Sequence, residues 1–202
     1  MRKLGFALAL AMPLHQAVAE EISSAYVETN TEADCVLFDK AGTDDGDYAN
    51  MVCPGYRGYS VLVFSADLRE SVFYGFPPAD FVDIPWQSFE TFNRSAGKAE
   101  WRISSHDGKV VPFATIRRWY VQAEPAEGDK EIEVLVVAKV GQPGKADGCV
   151  VGLVLATGEP KANELARKIA DEQARDFACG SDERVLVGDP MPVFYSEGKT
   201  KN

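Results

Sequence analysis

Apolar and polar positions sort this chain into short strands for most of its length and one helix near the end. Residues 25–28 and 35–38 have brief strand character. They are followed, between Lys40 and Asn50, by a polar loop in which Gly42, Asp44, Asp45, Gly46 and Asp47 supply turn conformations. Residues 59–64 are rich in valine and aromatics, and 71–74 repeat that composition beyond the polar break Asp67-Leu68-Arg69-Glu70, so the two are expected to pair. Prolines 77, 78 and 85 forbid a regular central strand in 76–92, which is expected to be a long connection with a short helix near 87–92.

The second half is patterned more cleanly. Residues 100–104 and 110–122 flank His106-Asp107-Gly108-Lys109, and Asp-Gly between β-rich runs predicts a tight hairpin turn. Pro112 lacks a donor N–H and is expected at an edge or before regular pairing starts. In 132–140 one face carries Ile132, Val134, Val136 and Ala138, the other Glu133, Leu135, Val137 and Lys139. Apolar residues on both faces place this strand in the middle of a sheet. The fully apolar run 149–155 predicts another buried strand. After Gly158 and Pro160, with Asn163 as the expected cap, a helix runs to about Phe177 with Ala162, Leu165, Ala166, Ile169 and Ala170 on one stripe. Gly180 ends it, residues 185–187 make a last short strand, and 197–202 read as a frayed tail. The predicted class is therefore α+β: a mostly antiparallel β-sheet with one C-terminal amphipathic helix packed on it.

The start of the chain has a different pattern. Arg2 and Lys3 precede an apolar run from Leu4 to Leu14, and Ala17-Val18-Ala19 offers a small-residue cleavage site before Glu20. Residues 1–19 read as a signal peptide, and 20–202 as a single exported domain with a possible lobe boundary near 93–98. The apolar run is too short to span a membrane and no cysteine follows the cut, so neither a transmembrane segment nor a lipid anchor is expected. The short basic start fits bacterial export, which makes the periplasm the expected location and secretion the alternative.

Export changes how Cys35, Cys53, Cys149 and Cys179 are read. Four cysteines in an oxidising compartment allow three pairings. Cys35–Cys53 is favoured because it brackets the turn-rich loop, and Cys149–Cys179 because it joins a strand to the far end of the helix. Both are structural, since no Cys-x-x-Cys spacing or thiolate-stabilising partner accompanies them.

Charge and chemistry narrow the function by exclusion. The formal charge of −10 becomes −12 once Arg2 and Lys3 leave, which opposes nucleic acid and favours a cationic partner. Leader removal also takes His15, so a Ser-His-Asp arrangement would have to use His106, in a solvated turn. One histidine and paired cysteines leave too few ligands for zinc, Asp44, Asp45 and Asp47 lack the later glutamate of a calcium loop, and no cofactor-binding loop occurs. Asn93-Arg94-Ser95 is a glycosylation triplet that matters only in a eukaryotic secretory pathway. Arg117 and Arg118 point to opposite faces of one strand, and the inward one is expected to pair with Glu100 or Glu133.

What remains is the aromatic-rich connection. Tyr74, Phe76, Phe81 and Trp86, with Arg69 nearby, form the expected ligand-binding set. The expected function is a non-enzymatic binding or inhibitor-like protein acting on an envelope component or exported protein. One alternative is a carboxylate-dependent hydrolase of envelope glycans using Asp80 and Asp83, and another is a structural envelope interaction protein.

Overall fold

The structure is a computed structural model that describes residues 20–40, 47–78, 84–123, 130–145 and 147–197. The leader, the aspartates at 44 and 45, Asp80, Phe81, Asp83 and the tail beyond Glu197 lie outside the described residues. In chain order the elements are β1 (Glu21–Glu28), α1 (Thr31–Asp34), β2 (Val36–Lys40), β3 (Tyr48–Pro54), β4 (Ser60–Ala66), β5 (Arg69–Gly75), β6 (Trp86–Phe89), β7 (Asn93–His106), β8 (Lys109–Gln122), β9 (Glu131–Lys139), β10 (Val150–Leu155), α2 (Ala162–Gln173), β11 (Val185–Val187) and β12 (Phe194–Glu197).

The strands form three sheets. One has six strands in the order β1-β7-β8-β9-β10-β11, antiparallel except for the parallel pair β10–β11. The second is the antiparallel meander β2-β3-β4-β5, and the third is the two-stranded ribbon β12-β6. Among the described residues α2 is the one helix longer than about a turn, and the expected α+β class with mostly antiparallel sheet is the observed one.

Local chemistry explains the joints. Asp107 at φ 49° and Gly108 at φ 74° take the left-handed conformation that a two-residue turn requires, and they connect β7 to β8 as expected. Pro112 pairs with Ile103 of β7, while pairing of β8 to β9 begins only at Ala114, so no ladder hydrogen bond is lost to β9. The meander meets the large sheet where Gly75, at φ 101°, abuts Gly141: the Phe76 N–H donates to the Gly141 carbonyl at 2.9 Å, and the Gly141 N–H to that of Tyr74 at 2.9 Å. A Cβ on Gly75 would stand 2.2 Å from the Gly141 oxygen, so only glycine permits this approach.

Both faces of the six-stranded sheet are covered. Toward the meander, Val134, Val136 and Ala138 of β9 join Trp101, Trp119 and Val61 in one core. Toward α2, Leu135 and Val137 of the same strand join Ala166, Ile169, Ala170 and Phe177 in the other. The alternation in 132–140 thus feeds two separate layers, as a central strand must. The absence of a side chain at Gly152 of β10 allows the close approach of α2: a Cβ there would come within 2.8 Å of Ile169.

Both expected disulfides are present. Cys35–Cys53 spans 4.2 Å between Cα atoms and Cys149–Cys179 spans 5.9 Å, and no cysteine among the described residues is free. Closing loops of 18 and 30 residues in the unfolded chain contributes roughly 3–4 kcal/mol each on the loop-entropy model.

Five expectations need correction. Residues 86–89 are the strand β6, because their backbone pairs with β12 far along the chain, and not part of a short helix. Strand β3 occupies 48–54, so the polar loop is shorter than it reads. The residue at the cap position of α2 is Lys161, and Asn163 sits within the first turn. Glu197, read as the start of a frayed tail, ends β12. Residues 93–98, with the composition of a lobe boundary, are the first part of β7.

Candidate ligand-binding groove

A groove of about 1390 Å³ opens between the ribbon β6–β12, strand β10 and the segment tied down by the Cys149–Cys179 bridge. Val150, Leu153 and Phe177 are buried beneath it; Leu186 of β11 and Val193 are exposed along it at 59% and 57%. Gln87 fastens the ribbon to the sheet: its amide oxygen accepts from the Val150 N–H at 2.8 Å, and its nitrogen donates to Ser196 Oγ at 3.2 Å. Strands β11 and β12 both contribute lining residues, and among the described residues each is the terminal strand of its sheet with a single paired neighbour.

Arg184 supplies the groove's cation. Its guanidinium lies 4.9 Å from the centroid of the Phe194 ring, a cation–π distance. Burial pulls its pKa below the usual arginine value, and among the described residues no carboxylate forms an ion pair with it. Asp182, Glu183 and Glu197 lie on the groove's edge and are exposed, with Asp182 engaged in accepting from the Ala178 N–H. The result is an apolar cleft holding one unanswered, partly desolvated positive charge beneath an acidic rim.

The residues singled out from sequence fall in several places. Tyr74 is buried between the sheets, edge-on to Trp101 at 5.8 Å, and burial pushes its phenol pKa up. Phe76 packs edge-on against Tyr59 at 5.0 Å. Arg69 and Trp86 are brought together: both donate to the Tyr195 hydroxyl at 3.2 Å, and Arg69 also pairs with Asp67 at 3.0 Å. Tyr74, Phe76, Arg69 and Trp86 are therefore engaged with other parts of the protein, and none lines the groove, although Gln87 and Pro85 beside Trp86 do. Phe81, Asp80 and Asp83 lie outside the described residues.

Arg184, Phe194 and Tyr195 carry no sequence motif. The one available signal was that Arg184 is the sole cationic residue between Gly180 and Glu197.

The paired arginines of β8 divide as expected, and one of them meets one of the two expected carboxylates, while the more deeply buried one does not. Arg118, on the helix side, donates to Glu133. Arg117, 3% exposed, faces the meander and donates through Nε to the Ala96 carbonyl. Glu100 stands across from Ile116 and so points to the α2 face, away from Arg117. There it accepts from Arg167 Nε at 2.7 Å and from Ser24, with Arg102 3.6 Å away, and Arg102 reaches Asp171 at 2.7 Å. Burial, the largest single influence, would raise the Glu100 pKa, but Arg167, Ser24 and Arg102 together hold it below the usual carboxylate range.

A smaller hollow of about 560 Å³ lies between Leu68, Phe92 and Tyr120. Its arginine, Arg94, is already committed, stacked 4.1 Å over Tyr120 and paired with Glu131 at 3.1 Å. His106 is exposed in the β7–β8 turn, 3.2 Å from Asp107. Among the described residues no cluster of three or more histidine, cysteine or acidic side chains could hold a metal, and no helix is long and apolar enough to cross a membrane. The groove around Arg184 is the arrangement best suited to bind: apolar surface to exclude water and a charge to orient what enters. Comparison with models of known protein families, with curated proteins and with solved structures finds no match to this chain.

Proposed function

We propose that this is an exported binding protein, periplasmic or else secreted, that holds an apolar part of an envelope component or of another exported protein in the groove beside β11 and β12. The observation that carries the reading is Arg184: a cation partly drawn out of water and left, among the described residues, without a carboxylate partner costs free energy, and a ligand that answered it would recover that cost. The two disulfides suit an oxidising compartment, and one of them fixes a wall of the groove.

The neutral apolar fluorophore N-phenyl-1-naphthylamine tests the site without invoking charge. Its emission should rise on mixing with the oxidised protein, and the rise should be lost in the double variant Leu186→Glu/Val193→Glu. Both side chains are exposed, so each change should leave stability within about 0.5 kcal/mol. No enhancement with wild-type protein would sink this reading.

A further inference from the structure

We propose that the occupant of the groove is the C-terminal end of an extended peptide, with its terminal carboxylate on the Arg184 guanidinium. This rests on the groove being the binding site, and it adds the chemistry of the ligand. Three features converge on it.

The first is the cation itself. Arginine presents a planar set of donors that matches a carboxylate in a two-bond fork, and such charge-assisted bonds strengthen where water is partly excluded. Arg184 is held by its contact with Phe194, and no other described residue competes for it as an ion-pair partner. A carboxylate is the smallest common group that satisfies it.

The second is the backbone beside it. Among the described residues β11 pairs only with β10, and β12 only with β6, so each of these groove-lining strands keeps one edge to which no described strand is paired. An extended peptide can add to a strand edge through main-chain hydrogen bonds and place alternate side chains against apolar surface. Leu186 and Val193, exposed here, offer such surface. A fatty acid also carries a carboxylate on an apolar chain, but it has no main-chain groups to meet these edges.

The third is the rim. Asp182, Glu183 and Glu197 repel a ligand that is negative throughout and attract one with a positive group several ångströms from its anionic end. A peptide with lysine or arginine upstream of its C-terminus meets both requirements.

The test uses a fluorescent, N-terminally labelled hexapeptide with one lysine followed by alternating valine and threonine and a final leucine, made as the free acid and as the amide. Wild-type oxidised protein should bind the acid at least about tenfold more tightly than the amide, the ratio expected for one well-placed charged hydrogen-bond pair. Raising salt should erode that ratio. In Arg184→Gln, checked for native circular dichroism and melting, the ratio should fall to near one, and Arg184→Lys should lie between. Equal affinity for acid and amide in the wild type overturns the proposal whatever the variants do. So does binding of neither peptide, or displacement of N-phenyl-1-naphthylamine by dodecanoic acid but not by the peptide acid. In each of those cases, retained fluorophore binding leaves the groove standing as a binding site, whereas loss of fluorophore binding removes the broader reading too.

Discussion

Glu100 and Arg117 show how one side chain's setting decides its contribution. Both are buried, yet Glu100 is ringed by Arg167, Arg102 and Ser24, whereas Arg117 has a backbone carbonyl and, among the described residues, no ion-paired carboxylate. Replacing Glu100 with glutamine leaves Arg167 and Arg102 without their shared anion and should cost about 2–3 kcal/mol in chemical denaturation. The pH dependence has a definite sign. Because the folded pKa lies below the unfolded one of about 4.3, Glu100 stabilises fully above that value. The contribution fades as pH falls through the folded pKa, and Glu100→Gln should therefore flatten the acid side of the stability curve while lowering its neutral plateau. An unchanged acid limb would show that Glu100 does not tie α2 to the sheet. Sequence spacing placed the two arginines on opposite faces correctly, but it could not assign carboxylates, because the choice of partner depends on which face Glu100 shares with α2.

At the level of elements, the joint between the two larger sheets is the most exposed to single changes. Gly75→Ala forces a left-handed residue to carry a Cβ into the Gly141 carbonyl and should destabilise by about 2–4 kcal/mol. Gly58, also left-handed at φ 86° but with open space around it, is the control, and its alanine variant should cost about 1–2 kcal/mol. Equal losses in thermal melts would mean that the sheet-to-sheet contact contributes little. Which elements could be read in advance follows the same division between local and distant causes. The β7–β8 hairpin, β9, β10 and the buried stripe of α2 were legible because their determinants lie within a few residues: Asp107-Gly108, an alternating run, an apolar run, alanines at helical spacing. β6 was not. Trp86-Gln87-Ser88-Phe89 has neither period, and it is extended because β12, about a hundred residues later, pairs with it. The groove shares that fate, being assembled from Pro78 and residues of 84–87, 148–153, 177–186 and 191–197. A sequence-local cluster of aromatics pointed instead to Trp86, with Arg69 nearby, and these two meet at the Tyr195 hydroxyl without lining the groove.

For the molecule as a whole, covalent staples and charge set the working conditions. Under denaturation, alkylation of protein from its native compartment should add nothing before reduction and four groups after it, as two bridges require. The variant Cys149→Ser/Cys179→Ser should lose about 3–4 kcal/mol of stability. It should also bind N-phenyl-1-naphthylamine more weakly than stability alone explains, since the bridge holds both the β10 side and the 177–186 side of the groove. Undiminished binding by a folded variant would assign the bridge to stability only.

Strand β9 gives the molecule a property that concerns its future more than its present. Its even-numbered residues from Val134 to Ala138 belong to one hydrophobic layer, while Leu135 and Val137 belong to the other. An alteration at one position is felt on one side of the sheet alone, so the helix-side layer and the meander-side layer can diverge, or be redesigned, along independent routes. Inserting a single residue within this strand removes that independence, because it would exchange the two sets at once and confront both layers with side chains shaped for the other.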